Sequence, residues 1–262
     1  MSNFFRSGKW TTAANALLAV LLIVGELLVG QGKLLARQAS ASGAEIASES
    51  LLDGFRHVEA ASVSDAVEQV TGRKMYMSRQ MRPIFNTKFA GFALTVLLKR
   101  EEGRQGSQAL TGMLTAIDQG NANSVYVMVV QDGVDIAGMG GLMGTAMAAR
   151  DFSGAVIDGG VRDVAYLRKI AFPVYSKGIV PSTSVNHYRF AGANIPVVCD
   201  GVPVGPGDII VADQDGVVIV PRARAAAVLA LAQKMDFQEH SMYPYIEKYK
   251  SIEEAVRKFG RL

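Results

Sequence analysis

Cysteine and histidine are scarce in this chain of 262 residues, and their scarcity limits the chemistry that the protein can perform. The single cysteine, Cys199, excludes an internal disulfide and a cysteine-based zinc site, and its position after an apolar run predicts a small buried residue. The three histidines, His57, His187 and His240, are widely scattered, which disfavours a histidine-rich metal centre. Any bound metal is therefore expected to be a hard ion held by carboxylate oxygens, such as Mg²⁺ or Mn²⁺.

Concentrated positive charge is also absent from the sequence. The formal net charge is +3, and no block of lysine and arginine or basic stripe with interleaved aromatic residues occurs. Because nucleic-acid binding depends on such patches, we predict no nucleic-acid partner. The composition, 49% hydrophobic and 19% charged, is that of an ordinary globular protein. The sequence contains no evident internal repeat.

The N-terminal segment differs from the rest of the chain. Arg6 and Lys9 precede an apolar run from Ala13 to Val29, and Ala39-Ser40-Ala41 follows with the small residues of a cleavage site. A cationic start, an apolar run and such a site are typical of a signal peptide. We therefore predict an exported protein, located in the periplasm.

Two alternatives to cleavage remain open at this stage. One is an uncleaved membrane anchor, which is disfavoured because the run is short for a spanning helix and contains Glu26. The other is a cytoplasmic tail. Whether it is a cleaved signal peptide or an uncleaved anchor, the segment is expected to engage the membrane or the export machinery. We assign 1–44 to the signal peptide or anchor with its linker, and 45–262 to one domain.

Strand and helix patterns alternate through the middle of the chain. Strands are expected at 89–97, 125–130, 154–158 and 172–175. Helices are expected within 45–73, 107–117, 164–170, 222–235 and 251–259. A further helix is expected to follow the glycine-rich segment 138–144. Tight turns among Val/Ile-rich stretches predict a three-stranded meander over 195–221. This alternation indicates an α/β fold in which the two strands flanking the glycine-rich helix are parallel neighbours.

A glycine-rich sequence opens that central helix. Glycine allows a ligand to approach the backbone of Gly140 and Gly141 closely, and the first N–H groups of a helix, including those of Leu142 and Met143, have no partner within it. Such a helix end binds a carboxylate or phosphate. Since most glycine-rich turns before helices are only turns, this segment does not predict a site by itself.

The adjacent residues Arg162 and Asp163 supply stronger grounds for a site. They follow an apolar strand and two glycines, so we expect them at the carboxyl edge of the sheet, where α/β proteins bind ligands. An arginine fork recognises a carboxylate, and an aspartate ligates a hard cation. The alternative is a surface ion pair in which Asp163 caps the helix that begins at Val164.

Several motifs in fixed order resemble those of the RraA-like family, which includes the 4-hydroxy-4-methyl-2-oxoglutarate aldolases. The motifs are Gly-Leu-Met-Gly at 141–144, Gly-Ala-Val-Ile-Asp-Gly-Gly-Val-Arg-Asp at 154–163, Asn-Ile-Pro-Val at 194–197, Val-Gly-Pro-Gly-Asp at 204–208 and Ala-Asp-Gln-Asp-Gly-Val-Val at 212–218. The resemblance runs from about residue 58 to 221. It implies a layered sheet-and-helix domain of the swivelling RraA-like type, with a strand-rich C-terminal half and terminal helices.

The resemblance also implies an activity. It is a lyase reaction of the class II pyruvate aldolase type, dependent on Mg²⁺ or Mn²⁺, in which a 4-hydroxy-2-oxo acid is cleaved to pyruvate and oxaloacetate is decarboxylated as a side reaction. By position, Asp163 is the metal ligand and Arg162 binds the substrate, and both are catalytic. The backbone amides of 140–143 are expected to hold the carboxylate of a small 2-oxo acid.

One residue departs from the family pattern. The aldolases have an acidic residue where this chain has Gly141, which leaves turnover and the natural substrate open. A further acidic residue comes from a neighbouring subunit in the family, for which Glu239, or His240 beside it, is the candidate; this implies a homotrimer or hexamer. The alternative function is that of a non-catalytic binding or regulatory protein of the family, although such regulators lack the aspartate that this chain keeps at Asp163.

Overall fold

The computed structural model describes residues 48–103 and 106–261, so the signal peptide or anchor predicted at 1–44 lies outside the described residues. The chain separates into Met1–Ser50 and Leu51–Leu262, and the second unit is the domain described below. Among the described residues, none of the helices combines the length and apolar character needed to cross a membrane.

Nine strands of the described chain form one sheet, in the order β1-β6-β5-β3-β2-β10-β11, with β4 paired to β5 and β7 paired to β2. Two further strands, β8 and β9, form a separate hairpin. The strands are β1 (Arg82–Pro83), β2 (Phe89–Arg100), β3 (Ser124–Val130), β4 (Ala137–Met139), β5 (Gly154–Val161), β6 (Val174–Ile179), β7 (Tyr188–Ala193), β8 (Val197–Cys199), β9 (Val202–Val204), β10 (Ile209–Asp213) and β11 (Gly216–Val220).

Helices cover both faces of this sheet. They are α1 (48–56), α2 (Ala60–Thr71), α3 (Thr111–Asp118), α4 (Gly141–Ala148), α5 (Val164–Lys169), α6 (Ala225–Tyr249) and α7 (Ile252–Phe259), with short 3₁₀ turns at Gly106–Leu110 and Arg222–Arg224. The apolar side chains form two buried clusters, one with α2 and α6 and the other with α3, α4 and α5. Alternate residues of β3 enter opposite clusters, Val125 and Val127 in the first and Tyr126 and Met128 in the second. A central strand buried on both faces explains its uninterrupted apolar sequence.

The parallel centre of the sheet agrees with the sequence prediction. β3 pairs in parallel with β2 on one side and with β5 on the other, and β5 pairs in parallel with β6. The carboxyl ends of these strands therefore lie at one edge, where α4 and α5 begin.

The C-terminal half differs from the predicted meander. The segment 195–221 contains four strands, of which β8 and β9 pair only with each other while β10 and β11 extend the main sheet. β4 and β7 were not predicted at all, and the helix expected to end at residue 235 continues through Pro244 to Tyr249. These errors share a cause, because strand pairing and helix length here depend on distant partners that local patterns do not show.

A partly buried ion cluster attaches the β8–β9 hairpin to the sheet. The Lys177 ammonium group lies 2.6 Å from a carboxylate oxygen of Asp158 in β5 and 2.9 Å from one of Asp200 in the hairpin turn. Burial alone would raise the pKa of Asp200, but the hydrogen bonds from Lys177 and Ser78 outweigh it, so that pKa is lowered. Asp158 therefore has a structural role, although it belongs to the same sequence motif as Arg162.

Candidate functional site

The site begins where β4 and β5 end side by side. Met139 pairs with Val161, and the Arg162 backbone N–H donates to the Met139 carbonyl at 3.1 Å. This pairing places Gly140, the residue before α4, next to Arg162, the residue after β5. Gly141 and Arg162 are 21 positions apart in the sequence. The pairing of β4 with β5 nevertheless brings the glycine-rich segment and the Arg-Asp pair into one surface.

The carboxylate of Asp163 points to the beginning of α4. Its Oδ2 atom accepts the Gly141 backbone N–H at 2.9 Å, while its own backbone lies in the left-handed region with φ of 59°. Aspartate is among the few non-glycine residues that adopt this conformation readily. Asp163 is the N-cap residue of α5 by position, as the alternative had it, but its side chain makes no capping hydrogen bond there.

Gly140 makes the close approach of the two segments possible. A Cβ atom at this position would lie 2.6 Å from Asp163 Oδ2 and 3.0 Å from Arg162 Cγ. Its φ of −152° is ordinary extended backbone, so the requirement for glycine is one of space. Any larger residue would separate the carboxylate from α4.

Arg162 is anchored by one nitrogen and open at others. Its Nη1 donates to the Ser182 carbonyl at 3.1 Å, and its Nε lies 3.9 Å from Asp163 Oδ2. The side chains of Arg162 and Asp163 are 47% and 51% exposed. Within residues 48–103 and 106–261, Nη2 has no recorded acceptor, so it is free to bind an anionic ligand.

Two backbone donors remain at the start of α4. The first hydrogen bond within the helix runs from Gly144 to the Gly140 carbonyl, and the Gly141 N–H is taken by Asp163. For the N–H groups of Leu142 and Met143, no acceptor is recorded in the described part of the chain. They form the positive end of the helix dipole and suit a carboxylate.

These groups border an open cleft of about 200 Å³, which has room for a small acid. Besides Arg162, Asp163 and the 140–143 segment, its lining comprises Leu110, Met113, Leu114, Ala137, Gly138, Met139, Thr183, Ser184 and Val185. A second cavity also borders Arg162 and Asp163, and the rest of its lining is Ile179, Val180 and Pro181.

The donor set fits a hard divalent cation bound through a single carboxylate. Asp163 Oδ1 accepts no hydrogen bond from a described residue, so one carboxylate oxygen is available. In the described residues there is no cluster of three or more aspartate, glutamate, histidine or cysteine side chains suited to a metal. Mg²⁺ commonly binds through one or two carboxylates, with water and substrate oxygens completing its octahedron.

Gly141 lies where an added side chain would be placed next to Asp163. A Cβ atom built on it would be 3.4 Å from Asp163 Cβ and 3.1 Å from Tyr166 Cδ1. Tyr166 is half exposed, so its ring can move away. An acidic side chain would thus be accommodated beside Asp163, and its absence is a feature of this sequence rather than of the local backbone.

Glu239 and His240 lie on α6 and make contacts with other partners. Glu239 accepts from the Tyr243 hydroxyl at 2.9 Å and lies 3.5 Å from Arg261. The hydrogen bond between His240 Nδ1 and the Asp236 carbonyl raises the pKa of His240, and nearby carboxylates act in the same direction. Neither residue borders the cleft within its own chain. Their predicted role across a subunit interface stays a prediction.

Several other lining residues of the cleft were not predicted from the sequence. Leu114 and Met113 come from α3, and Thr183 and Ser184 follow β6. Ser182 also joins the two sides, since its hydroxyl donates to the Asp135 carbonyl and accepts from the Ala137 N–H. None of these residues carries a motif, and only their positions in the folded chain indicate a role.

Comparison with known proteins identifies the family. A family model described as RraA-like (Aldolase/RraA) matches residues 60–219. The chain belongs to the RraA-like family. It is 26% identical over 181 residues, 69% of its length, to a "putative 4-hydroxy-4-methyl-2-oxoglutarate aldolase" of Halalkalibacterium halodurans, of which the match covers 80%.

Solved structures of RraA-like shape agree with the fold. An uncharacterized protein from Pseudomonas syringae aligns with a TM-score of 0.71 and 27% identity, covering 79% of this chain and 96% of that one. RraAS2 of Streptomyces coelicolor, described as an unusual member of the RNase ES inhibitor RraA family, aligns with a TM-score of 0.65 and 20% identity over 76% of this chain and 96% of its own. The mixed α/β architecture predicted from the sequence is thereby confirmed.

Proposed function

We propose that this RraA-like chain is a divalent-metal-dependent lyase of the class II pyruvate aldolase type. It would cleave a 4-hydroxy-2-oxo acid to pyruvate, with oxaloacetate decarboxylation as a side activity. The observation that carries the proposal is the shared cleft, in which the Asp163 carboxylate, the Arg162 guanidinium and the first amides of α4 face the same space. The name of the Halalkalibacterium relative supports the reaction class.

The carboxylate of the substrate is bound by the positive groups of the cleft. Arg162 offers its free Nη2, and the N–H groups of Leu142 and Met143 offer two further donors. The Ser182 carbonyl keeps the guanidinium in place. Together they fix the position of the 2-oxo group relative to Asp163.

Asp163 holds the divalent cation, Mg²⁺ or Mn²⁺, through its remaining carboxylate oxygen. When bound, the ion supplies Lewis acidity toward the 2-oxo oxygen of the substrate. The hydrogen bond from Gly141 and the left-handed backbone orient the carboxylate before any ligand arrives. This preorganisation reduces the cost of binding.

Substitution of Asp163 by asparagine tests the proposal. Asparagine also tolerates positive φ, so the fold should be kept while the charge is lost. With Mg²⁺ or Mn²⁺, the wild-type protein should release pyruvate from 4-hydroxy-4-methyl-2-oxoglutarate and from oxaloacetate, EDTA should stop it, and Asp163→Asn should lower the rate about a hundredfold or more. Activity without metal, or unchanged activity in the variant, would contradict the proposal.

A non-catalytic binding or regulatory protein is the second candidate. Gly141 favours it, because the site has a single carboxylate for the metal among the residues that line the cleft. In that case pyruvate and Mg²⁺ bind but no 4-hydroxy-2-oxo acid is consumed. Calorimetric titration with pyruvate and Mg²⁺, run beside the pyruvate-release assay, separates the two candidates.

We further propose that the chain assembles into a homotrimer or hexamer that covers the cleft. Large apolar side chains are exposed beside the site, with Leu142 90% and Ile179 59% exposed. Such exposure is typical of a contact surface. Light scattering after size-exclusion chromatography should give the mass of a trimer or its double, and Leu142→Glu should dissociate it. Glu239→Gln would test whether a second copy contributes that acid.

A further inference from the structure

We propose that the Ser184 hydroxyl is a catalytic group of the cleft, where it donates a hydrogen bond to the oxygen on C4 of a 4-hydroxy-2-oxo acid. The inference rests on the proposed function and deepens it, because it assigns a part of the substrate that the Arg-Asp pair does not hold. It follows from a hydroxyl that is buried, borders the cleft and has no hydrogen-bond partner among the described residues.

Ser184 is the last of three consecutive hydroxyl residues between β6 and β7. The Ser182 hydroxyl bonds with two backbone groups at the start of β4, and the Thr183 hydroxyl accepts from a backbone N–H two residues further on. For the Ser184 hydroxyl, no partner is recorded in the described part of the chain. The first two hydroxyls therefore hold the segment in shape, whereas the third is available to a ligand.

The burial of Ser184 indicates where its hydroxyl faces. The residue is 4% exposed, and of the buried polar residues in the described chain it is the one that lines the cleft. Among the described residues, a fully enclosed side-chain oxygen without a hydrogen bond does not occur. Since the Ser184 oxygen has no such bond, it keeps contact with solvent, and the cleft is the space beside it. A ligand that expels this water has to replace its hydrogen bond or leave a buried hydroxyl unpaired, which costs free energy.

The backbone fixes this hydroxyl before any ligand arrives. The Ser184 carbonyl accepts from the N–H groups of His187 and Tyr188 at 3.2 and 3.0 Å. Tyr188 is buried, and its hydroxyl donates to the Gln131 carbonyl at 2.8 Å, which attaches the turn to the end of β3. A donor held in this way needs little reorganisation during a reaction.

The oxygen on C4 is the part of the substrate that still needs a donor. In the proposed arrangement, Arg162 and the first amides of α4 bind the C1 carboxylate, and the 2-oxo group faces Asp163. During cleavage the 4-hydroxyl loses its proton, and an electron pair of its oxygen forms the new carbonyl. The bond between C3 and C4 breaks, its electron pair goes to C3, and C3 takes up a proton to give pyruvate. The products together have the composition of the substrate, so the reaction needs no oxidant or reductant.

A neutral hydroxyl suits this step. The C4 oxygen carries negative charge between the loss of its proton and the formation of the carbonyl, and an O–H donor stabilises that charge. The Ser184 bond involves this one oxygen alone. A second copy of the chain can therefore cover the cleft and provide groups for the other substituents of C4.

Two ligands of equal length isolate the C4 oxygen. 4-Methoxy-2-oxobutanoate and 2-oxohexanoate have the same chain, with either an ether oxygen or a methylene group attached to C4. Neither has a 4-hydroxyl proton to lose, so neither is cleaved by the proposed reaction. In calorimetric titrations at saturating Mg²⁺, Ser184→Ala should weaken binding of the ether about fivefold and change that of 2-oxohexanoate by less than about twofold. An equal change for both ligands would overturn the inference.

The same variant should slow cleavage. Ser184→Ala should lower kcat/KM for pyruvate release from 4-hydroxy-4-methyl-2-oxoglutarate at least about tenfold, whereas pyruvate itself, which has no C4, should bind with Mg²⁺ as it does to the wild type. Ser62→Ala is the matched control, because Ser62 is also a buried serine, lies in α2 and borders neither cavity. It should keep the wild-type kcat/KM and ligand affinities.

The two assays distinguish failure of this inference from failure of the proposed function. If no 4-hydroxy-2-oxo acid is cleaved but Ser184→Ala weakens binding of the ether selectively, the lyase function fails and the contact of Ser184 with the C4 oxygen is supported. If wild type and Ser184→Ala cleave the substrate equally well, the lyase function is supported and the inference is overturned. A changed mass of Ser184→Ala in light scattering, with unchanged ligand affinities, would assign the hydroxyl to a subunit contact and overturn the inference as well.

Discussion

Replacement of Gly140 by alanine should damage the site while the domain stays folded. The added Cβ would lie 2.6 Å from Asp163 Oδ2 and 3.0 Å from Arg162 Cγ, distances that require both side chains to move. Because these side chains are half exposed, they can move outward without disturbing the core. We therefore expect the free energy of unfolding to fall by about 2 kcal/mol, from mild overpacking and from the loss of the half-exposed hydrogen bond between Asp163 and the Gly141 N–H.

The same displacement should weaken ligand binding. Displacement of Asp163 breaks its hydrogen bond with the Gly141 N–H, and such bonds to charged groups contribute about 1.5–3 kcal/mol. Since the pair is half exposed, we take the lower value, which corresponds to at least tenfold weaker binding of Mg²⁺ together with pyruvate. Urea denaturation measures the stability change, and calorimetric titration measures the binding change.

Gly178→Ala is the matched control for this experiment. Gly178 lies in β6, and a Cβ built on it meets no atom within 4 Å. The free energy of unfolding of Gly178→Ala should stay the same or rise by up to about 1 kcal/mol, and the variant should bind Mg²⁺ and pyruvate as the wild type does. If Gly140→Ala bound Mg²⁺ and pyruvate as the wild type does, the described contact between Gly140 and Asp163 would have no role in the site.

Three further predictions concern other parts of the molecule. Lys177→Met removes the cation between the Asp158 and Asp200 carboxylates, which keep one backbone hydrogen bond each. Because the cluster is only partly buried, the change should cost about 2 kcal/mol in urea denaturation, less than for a fully buried pair; a loss below about 1 kcal/mol would show that the cluster is not structural. The pKa of His240 is raised in the folded protein, so its contribution to stability is present below about pH 6.5 and is lost as the pH rises through the raised value. In His240→Gln, the urea midpoint should therefore depend less on pH between pH 5.5 and 8.5 than it does in the wild type. Gly141→Asp should tighten Mg²⁺ binding about tenfold by adding a carboxylate beside Asp163, and calorimetry showing no gain would argue against a shared ion.

Much of the scaffold was predictable because local patterns and burial agreed there. Strands buried on both faces, such as β3, have uninterrupted apolar sequences, and the helices between them follow ordinary periodicity. The errors fell in the C-terminal half, where β8 and β9 leave the main sheet and α6 extends past Pro244. Pairing partners and packing decide such features, and they are distant in the sequence.

The sequence by itself determined the α/β class, the parallel centre of the sheet and the nearness of Arg162 and Asp163 to the glycine-rich segment. These follow from periodicity and from the rule that parallel strands end at one edge. Only the tertiary structure decided that the Asp163 side chain contacts Gly141 instead of capping α5, and that α3 supplies an apolar wall. The physical reason is that the contact between Asp163 and Gly141 depends on a left-handed backbone and on the pairing of β4 with β5. The position of α3 depends on helix packing across the sheet edge. Neither arrangement can be deduced from the residues that take part in it without the fold that brings them together.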